Sequence, residues 1–228
     1  MYLLSLAIVF AIISYLIGSL SFAIISSKLM KLEDPRSYGS GNPGATNVLR
    51  SGNKKAAALT LIGDLLKGWV VVFVSIKLVE QWDLSPWLVT ISAIAVFFGH
   101  VYSIMLRFKG GKGVATGVGV LLALNPVLGL ICILTWLIVA MMFRYSSLAA
   151  IFSALMAPVY YLFLTSNDGS FNWPWLVAIT FIAVWLIYKH QANINNLLNG
   201  TESKIGSKKG ATNKQVVMRT TRLRRKKR

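Results

Sequence analysis

The chain has 228 residues, of which 55% are hydrophobic and 14% are charged, and its formal net charge at pH 7 is +17. A soluble domain of this length carries about a quarter charged residues, and here the apolar residues form long blocks instead of amphipathic stripes. This composition excludes an ordinary soluble globular protein and predicts an all-α integral membrane protein.

Seven apolar blocks follow one another along the chain. A helix needs about 20 apolar residues to cross a bilayer, so we expect seven transmembrane helices. They lie at residues 2–27, 56–78, 87–106, 113–125, 126–143, 146–165 and 174–190. The first block has no basic residue before its apolar run and is too long for a signal peptide. The fourth is too short to cross alone, and Asn125-Pro126 predicts a turn after a half-length helix. Such helices are tolerated where their ends line a site enclosed by protein.

Basic residues concentrate in the loops after the odd-numbered blocks. The loops at the other end carry Lys77 and the acids Glu80, Asp83 and Asp168. Because cytoplasmic loops are rich in Lys and Arg, we expect the N-terminus outside and the C-terminus in the cytoplasm. An aromatic belt at the outer face is then formed by Trp82, Trp87, Trp173 and Trp175.

A first glycine-rich segment, residues 39–47, falls in a predicted cytoplasmic loop and mixes glycine with hydroxyl and amide residues. Glycine lets backbone N–H groups approach an anion closely, and a helix N-terminus after the loop adds a favourable dipole. Arg50 can hold a phosphate in bidentate fashion, and it shares a face with Thr46 if a helix begins near Ala45. For this segment alone, a turn with a helix cap and a positive-inside arginine remains an alternative.

A second glycine-rich segment, residues 109–116, contains Gly110-Gly111-Lys112-Gly113 and falls on the same predicted side. It lacks the spacing of a Walker A motif, so nucleotide hydrolysis is not supported. The short helix that follows favours anion binding at its N-terminus, although a flexible basic turn is the plainer interpretation. A third polar segment, residues 189–202, also falls on this side, so the three segments are predicted to converge.

Ionisable residues inside the apolar blocks form a separate group. Asp64 and Lys67 are three residues apart and face the same direction. An intramembrane charge points to function, but a self-compensating pair weakens that inference, so structural pairing and substrate contact both stay open. His100 and His190 end two blocks, and for each the alternatives are an interfacial residue, a general base or a hydrogen-bond donor to phosphate. No Cys/His cluster suits zinc, and neither a metal nor another cofactor is expected.

Taken together, the three polar segments resemble the bacterial membrane acyl-phosphate:glycerol-3-phosphate acyltransferase family. The resemblance covers about residues 1–206. It rests on residues 39–47 with Arg50, on Gly99-His100 followed by residues 108–116, and on His190, Asn193-Ile194, Leu197-Leu198 and Gly200-Thr201-Glu202. Members commonly carry basic residues around the Asn-Ile pair, where this chain has Gln191 and Asn195-Asn196.

The resemblance implies a seven-helix enzyme of the bacterial cytoplasmic (inner) membrane. It would transfer a fatty acyl group from acyl phosphate to the 1-hydroxyl of glycerol 3-phosphate, giving lysophosphatidic acid for phospholipid synthesis. Acyl-CoA and acyl carrier protein would not be direct donors. The predicted cytoplasmic face carries few acids, Glu33, Asp34 and Glu202. We therefore hypothesise that a phosphate on the substrate accepts the proton.

Site residues are assigned on the same basis. The catalytic candidates are Ser40, Arg50, Lys109, His190 and Asn193. The substrate-binding candidates are Gly41, Asn42, Thr46, Asn47, Gly110, Gly111, Lys112, Gly113, Thr116 and Glu202.

The chain divides into an acyltransferase domain, residues 1–202, and a basic tail, residues 203–228, which is predicted to be disordered when free. Eleven of the 24 basic residues follow Gly200. The tail is a solvated extension or contacts anionic lipid headgroups, and no specific nucleic-acid partner is expected. A transporter for an organic phosphate is the alternative function, with Asp64 and Lys67 as the main feature in its favour.

Overall fold

The computed structural model describes residues 2–166, 169 and 171–206, and these residues form ten α-helices and no strand. The helices are α1 (Tyr2–Ser19), α2 (Phe22–Leu29), α3 (Ala45–Leu49), α4 (Lys54–Gln81), α5 (Trp87–Val101), α6 (Val114–Leu124), α7 (Pro126–Phe143), α8 (Ser146–Thr165), α9 (Trp173–Lys189) and α10 (Gln191–Leu198). A 3₁₀ turn, Ile104–Leu106, follows α5. The tail is predicted to be disordered, and its residues 207–228 lie outside the described part of the chain.

The helices confirm the predicted all-helical membrane class. Within the described part of the chain, five helical segments are long and apolar enough to span a membrane, and α9 with α10, bent by 55°, makes a sixth if the pair is one span. Helix α6 is apolar but shorter. The expected count of seven spans therefore stays a prediction.

The first apolar block is confirmed as one candidate membrane span, Leu3–Leu29, close to the predicted residues 2–27. It is not one continuous helix, however. Helix α1 ends at Ser19 and α2 begins at Phe22. The carbonyls at this break accept hydrogen bonds from distant side chains: Ser103 Oγ donates to Ser19 (2.6 Å) and Lys67 Nζ donates to Leu20 (2.6 Å). A break inside a span is tolerated because the freed backbone groups are satisfied in this way.

Helix ends elsewhere follow from local caps. The Asn125 side chain accepts from Leu128 N (3.0 Å), and Pro126 occupies the first turn of α7. The predicted turn between α6 and α7 is thereby confirmed. The Asn53 side chain caps α4 by accepting from Ala56 N (3.0 Å). Each cap satisfies an amide that has no partner inside its helix.

Glycines let two pairs of helices touch along their backbones. A Cβ placed on Gly99 of α5 would lie 2.2 Å from the carbonyl oxygen of Tyr15 in α1. A Cβ on Gly119 of α6 would lie 2.0 Å from the carbonyl oxygen of Leu65 in α4. Small residues at helix crossings allow this close approach in membrane proteins. The two crossings fix α5 and α6, the helices on either side of the second glycine-rich segment.

The bundle has two distinct ends. The α4–α5 turn and the start of α9 lie together, since Thr90 Oγ1 donates to the carbonyl of Pro174 (2.6 Å). Trp82, Trp87 and Trp173 are at these helix ends. The polar segments 39–47, 109–116 and 189–202 follow helices that run to the opposite end.

The α1–α5 crossing generates a prediction about stability. We expect Gly99→Ala to lower the free energy of unfolding by about 1–3 kcal/mol, because the added methyl group overpacks a backbone contact. The melting temperature of the detergent-purified protein measures this change. Gly117→Ala in α6 is the matched control, since its Cβ would meet only the Ile182 side chain at an ordinary 3.6 Å. Equal melting temperatures for the two variants would contradict the close crossing.

Candidate functional site

A buried polar group lies beneath the second glycine-rich segment. Lys67 Nζ is 2.8 Å from Asp64 Oδ1, and the two side chains are 2% and 3% exposed. The same ammonium is 3.0 Å from His100 Nδ1 and donates to the carbonyl of Leu20. The structural pairing of Asp64 with Lys67 is therefore confirmed. It joins α4 to α5 and to the break after α1.

The second glycine-rich segment packs tightly on this group. Gly110 N donates to Val101 O and Gly111 N donates to His100 O, each at 3.1 Å. A Cβ on Gly111 would lie 2.2 Å from His100 Nε2. These two glycines are thus required by close packing, and their amides are used within the protein. This differs from the expectation that glycine amides in the segment face an anion.

The start of α6 is shaped by two further candidates. Gly113 has φ +87°, a conformation that favours glycine, and a Cβ there would lie 2.2 Å from the ring of Phe97. Thr116 is fully buried, and its hydroxyl donates to the carbonyl of Asp64 (2.9 Å). Both residues hold α6 against its neighbours. The hydroxyl of Thr116 is engaged inside the bundle.

Asn47 holds the first glycine-rich segment in shape. Its Nδ2 donates to the carbonyls of Pro35 (2.6 Å) and Tyr38 (3.2 Å), and its Oδ1 accepts from Ser40 N (3.0 Å). A Cβ on Gly39 would lie 2.1 Å from that Oδ1. Asn47 is buried, and each of its amide atoms serves the loop. It positions the segment rather than facing an open site.

The remaining candidates of this segment are accessible. Ser40, Gly41, Thr46 and Arg50 are exposed, and Asn42 is half-buried. Helix α3 begins at Ala45, as expected. Thr46 Oγ1 is 3.2 Å from Ser146 Oγ at the start of α8, which ties the first segment to that helix.

A chain of hydrogen bonds joins the second and third segments. Lys112 Nζ donates to Asn193 Oδ1. Asn193 Nδ2 donates to Glu202 Oε1 (2.7 Å), and Ser147 Oγ donates to the same oxygen (2.6 Å). These contacts confirm that distant polar segments meet. Ser147 is not among the candidates identified from the sequence. The pattern that could have indicated it is the pair Ser146-Ser147 at the start of an otherwise apolar helix.

Positive charge dominates this junction. Burial lowers the pKa of the Lys112 ammonium, Glu202 opposes that change, and the charges of Arg50 and Lys189 lower the pKa further. Arg50 and Lys189 therefore each act electrostatically on Lys112, and we call these three residues the cationic cluster. An anion bound beside Lys112 would offset this repulsion.

Two catalytic candidates lie apart from the hydrogen-bonded chain. His190 is buried at the α9–α10 bend, and its Nδ1 donates to the carbonyl of Leu186 (2.8 Å). Lys109 is exposed on the second segment, and the structure does not place it in the chain of hydrogen bonds. Within the described residues, no three His, Cys, Asp or Glu side chains are grouped to hold a metal ion.

Known proteins resemble this chain over nearly its whole length. A family model described as glycerol-3-phosphate acyltransferase matches residues 8–200. A glycerol-3-phosphate acyltransferase of Paraburkholderia phytofirmans is 53% identical over 206 residues, covering 90% of this chain and 93% of that protein. One from Bordetella pertussis is 56% identical over 198 residues, covering 87% of this chain and 91% of that protein.

Solved structures agree with these relatives. The crystal structure of PlsY (YgiH), an integral membrane glycerol 3-phosphate acyltransferase, in its glycerol 3-phosphate form matches with a TM-score of 0.79 and 37% identity, covering 88% of this chain and 96% of that chain. Its lysophosphatidic acid form matches with a TM-score of 0.76 and 36% identity, covering 88% and 95%. The chain therefore belongs to the glycerol-3-phosphate acyltransferase family.

Proposed function

We propose that this membrane enzyme transfers a fatty acyl group from acyl phosphate to the 1-hydroxyl of sn-glycerol 3-phosphate, giving lysophosphatidic acid. The observation that carries the proposal is the junction at Lys112, whose ammonium donates to Asn193 and is acted on by the charges of Arg50 and Lys189. Both proposed substrates carry a phosphate, and the cluster offers charge for anions beside apolar helices. The glycerol 3-phosphate and lysophosphatidic acid forms of the solved relative support the same substrate and product.

The proposed arrangement in the membrane has seven spans, with α6 as a short one, the N-terminus outside and the C-terminus in the cytoplasm. It is supported by the basic residues in the loops that carry the cationic cluster, and by the tryptophans at the opposite end. The membrane is proposed to be the bacterial cytoplasmic (inner) membrane. On this proposal the site faces the compartment that contains glycerol 3-phosphate.

Roles for individual residues follow from their accessibility and charge. Ser40, Arg50 and a lysine from Lys109 or Lys112 are proposed to bind the phosphate of glycerol 3-phosphate. Gly41, Asn42 and Thr46 are proposed to line the same site. The start of α6 at Gly113, with its helix dipole, is proposed to hold the acyl phosphate. His190 and Asn193 are proposed to orient the reacting groups.

The proposed reaction needs no covalent enzyme intermediate. The 1-hydroxyl oxygen attacks the acyl carbonyl carbon, and the bond from that carbon to the phosphate oxygen breaks. Acyl phosphate is an activated mixed anhydride, so positioning and charge stabilisation are the main requirements. Glu202 already accepts two hydrogen bonds. The departing phosphate is therefore proposed to take the hydroxyl proton.

Transport of an organic phosphate has no comparable support. Asp64 and Lys67, its main feature in the sequence, neutralise each other inside the protein. The basic tail, of which residues 207–228 lie outside the described part of the chain, is proposed to contact anionic lipid headgroups.

The donor is tested with purified protein supplied with glycerol 3-phosphate and either acyl phosphate or acyl-CoA. We expect lysophosphatidic acid, with one phosphate released per product molecule, from acyl phosphate alone. Glycerol in place of glycerol 3-phosphate is the control for the acceptor and should give no product. Comparable turnover with acyl-CoA would refute the proposed donor.

Replacing Arg50 with lysine tests its proposed contact with phosphate. Lysine keeps the charge but cannot make two parallel hydrogen bonds to one phosphate. We therefore expect the KM for glycerol 3-phosphate to rise about tenfold, the effect of losing one charge-assisted hydrogen bond. Arg36→Lys is the matched control, because Arg36 pairs with Asp34 at 2.7 Å on the same loop. Saturation curves with the same KM for Arg50→Lys and wild type would show that Arg50 does not hold this phosphate.

A further inference from the structure

The chain continues past α10 as a short strap, residues 200–206, that has no helix of its own. It starts at a left-handed turn, where Gly200 has φ +67°. The amides of Thr201 and Glu202 then donate to the carbonyl of Asn196 at 2.8 and 3.2 Å. One end of the strap is therefore fixed to the end of α10.

The other end of the strap is held at the corner between α7 and α8. Ile205 N donates to the carbonyl of Arg144 (2.7 Å), and Arg144 Nη2 donates back to the carbonyl of Ile205 (3.1 Å). Arg144 is thus bound to both polar backbone groups of one residue. The Ile205 side chain packs against the apolar cluster of Val139, Ala140 and Ala149. We call this paired contact the Arg144–Ile205 latch.

Glu202 lies at the end of the strap that is fixed to α10, and its side chain makes two further contacts. Its Oε1 accepts from both Ser147 and Asn193. Because the amide donor of Asn193 faces Glu202, the amide oxygen is turned towards Lys112, which donates to it. The position of the carboxylate therefore decides which way this amide points and where the ammonium of Lys112 is held.

The strap is short enough for the latch to limit the movement of Glu202. Only two residues lie between Glu202 and Ile205, and an extended chain covers about 3.3–3.6 Å per residue. With the latch closed, Glu202 has little room to move. With the latch open, the strap after Glu202 keeps the contact of Lys204 Nζ with the Tyr145 ring (5.7 Å) but loses its hydrogen bonds to Arg144. Glu202 is then held by its amide bond to Asn196 and by its side-chain contacts.

We propose that Arg144 and Ile205 are positioning residues for acyl transfer. The latch sets the strap so that Glu202 orients Asn193, and Asn193 in turn places Lys112 for the phosphate-bearing substrate. Arg144 and Ile205 act through these residues and touch no substrate. This proposal rests on the proposed function for its kinetic readout, and it adds residues outside the three glycine-rich and polar segments.

A double-mutant cycle tests the latch. We expect Arg144→Ala to lower kcat about tenfold, as for loss of one charge-assisted hydrogen bond, while the KM for glycerol 3-phosphate changes less than about twofold. In a Glu202→Gln background, Arg144→Ala should add less than about a twofold loss, because the latch acts through Glu202.

Arg144→Lys, which keeps a donor for the Ile205 carbonyl, should recover most of the rate. Arg36→Ala, which also removes an exposed arginine that holds a loop, should leave kcat unchanged.

A pair of truncations tests the same idea without changing Arg144. Deleting residues 207–228 keeps the whole latch, and we expect turnover close to that of the full chain. Deleting residues 205–228 removes Ile205 but keeps Lys204, which contacts the Tyr145 ring, and kcat should fall as it does for Arg144→Ala. Melting temperatures of the purified variants identify any that fail to fold. If Arg144→Ala does not fold, the comparison of the two truncations tests the latch instead.

Three outcomes would overturn the latch: wild-type kcat in Arg144→Ala, losses from Arg144→Ala and Glu202→Gln that multiply independently, or equal activity of the two truncations. If wild-type protein has no activity with acyl phosphate, it is the proposed function that fails. Hydrogen exchange then tests the latch by itself. Faster exchange of the strap amides in Arg144→Ala supports it, and unchanged exchange refutes it.

Discussion

A buried ammonium group in a membrane bundle needs nearby groups that compensate its charge. In this protein the ammonium of Lys67 connects α4 with α5 and with the break in the first span. It binds Asp64 on its own helix, approaches His100 on α5 and caps the carbonyl of Leu20 at the break in the first span. Removing one partner of such a buried pair leaves an uncompensated charge, which is strongly destabilising. Gly111 in turn packs directly on His100. The charge pair therefore sets where the second glycine-rich segment lies, and with it Lys112.

The site is built from parts that are far apart in the sequence, and rigid helix contacts bring them together. Helix α6 packs closely against α4 at Gly119, and this contact constrains the position of the segment that precedes α6. Lys112 then reaches Asn193, whose amide is oriented by Glu202. On the proposed function, such fixed positive charge would stabilise a reacting phosphate without rearrangement, because it is preorganised.

Sequence patterns predicted the helical membrane class, most helix bounds and the meeting of the polar segments, because each depends on local composition. They could not locate the break after α1, since both halves are apolar and the break depends on Lys67 and Ser103, which come much later in the chain. Composition also cannot distinguish a glycine whose amide faces an anion from one that packs on a side chain, as Gly111 packs on His100. Ser147 was missed because serine at a helix start is ordinarily a cap.

The break in the first span has a consequence for how the chain is assembled. The carbonyls of Ser19 and Leu20 find their partners in Ser103 and Lys67, which the ribosome adds long after the first span is complete. An unpaired carbonyl in lipid is costly, so the newly inserted segment is expected to remain one unbroken helix at first. The break between α1 and α2 is expected to form only when α4 and Ser103, which follows α5, lie beside it. The break in the first span is thus expected to form late in biosynthesis.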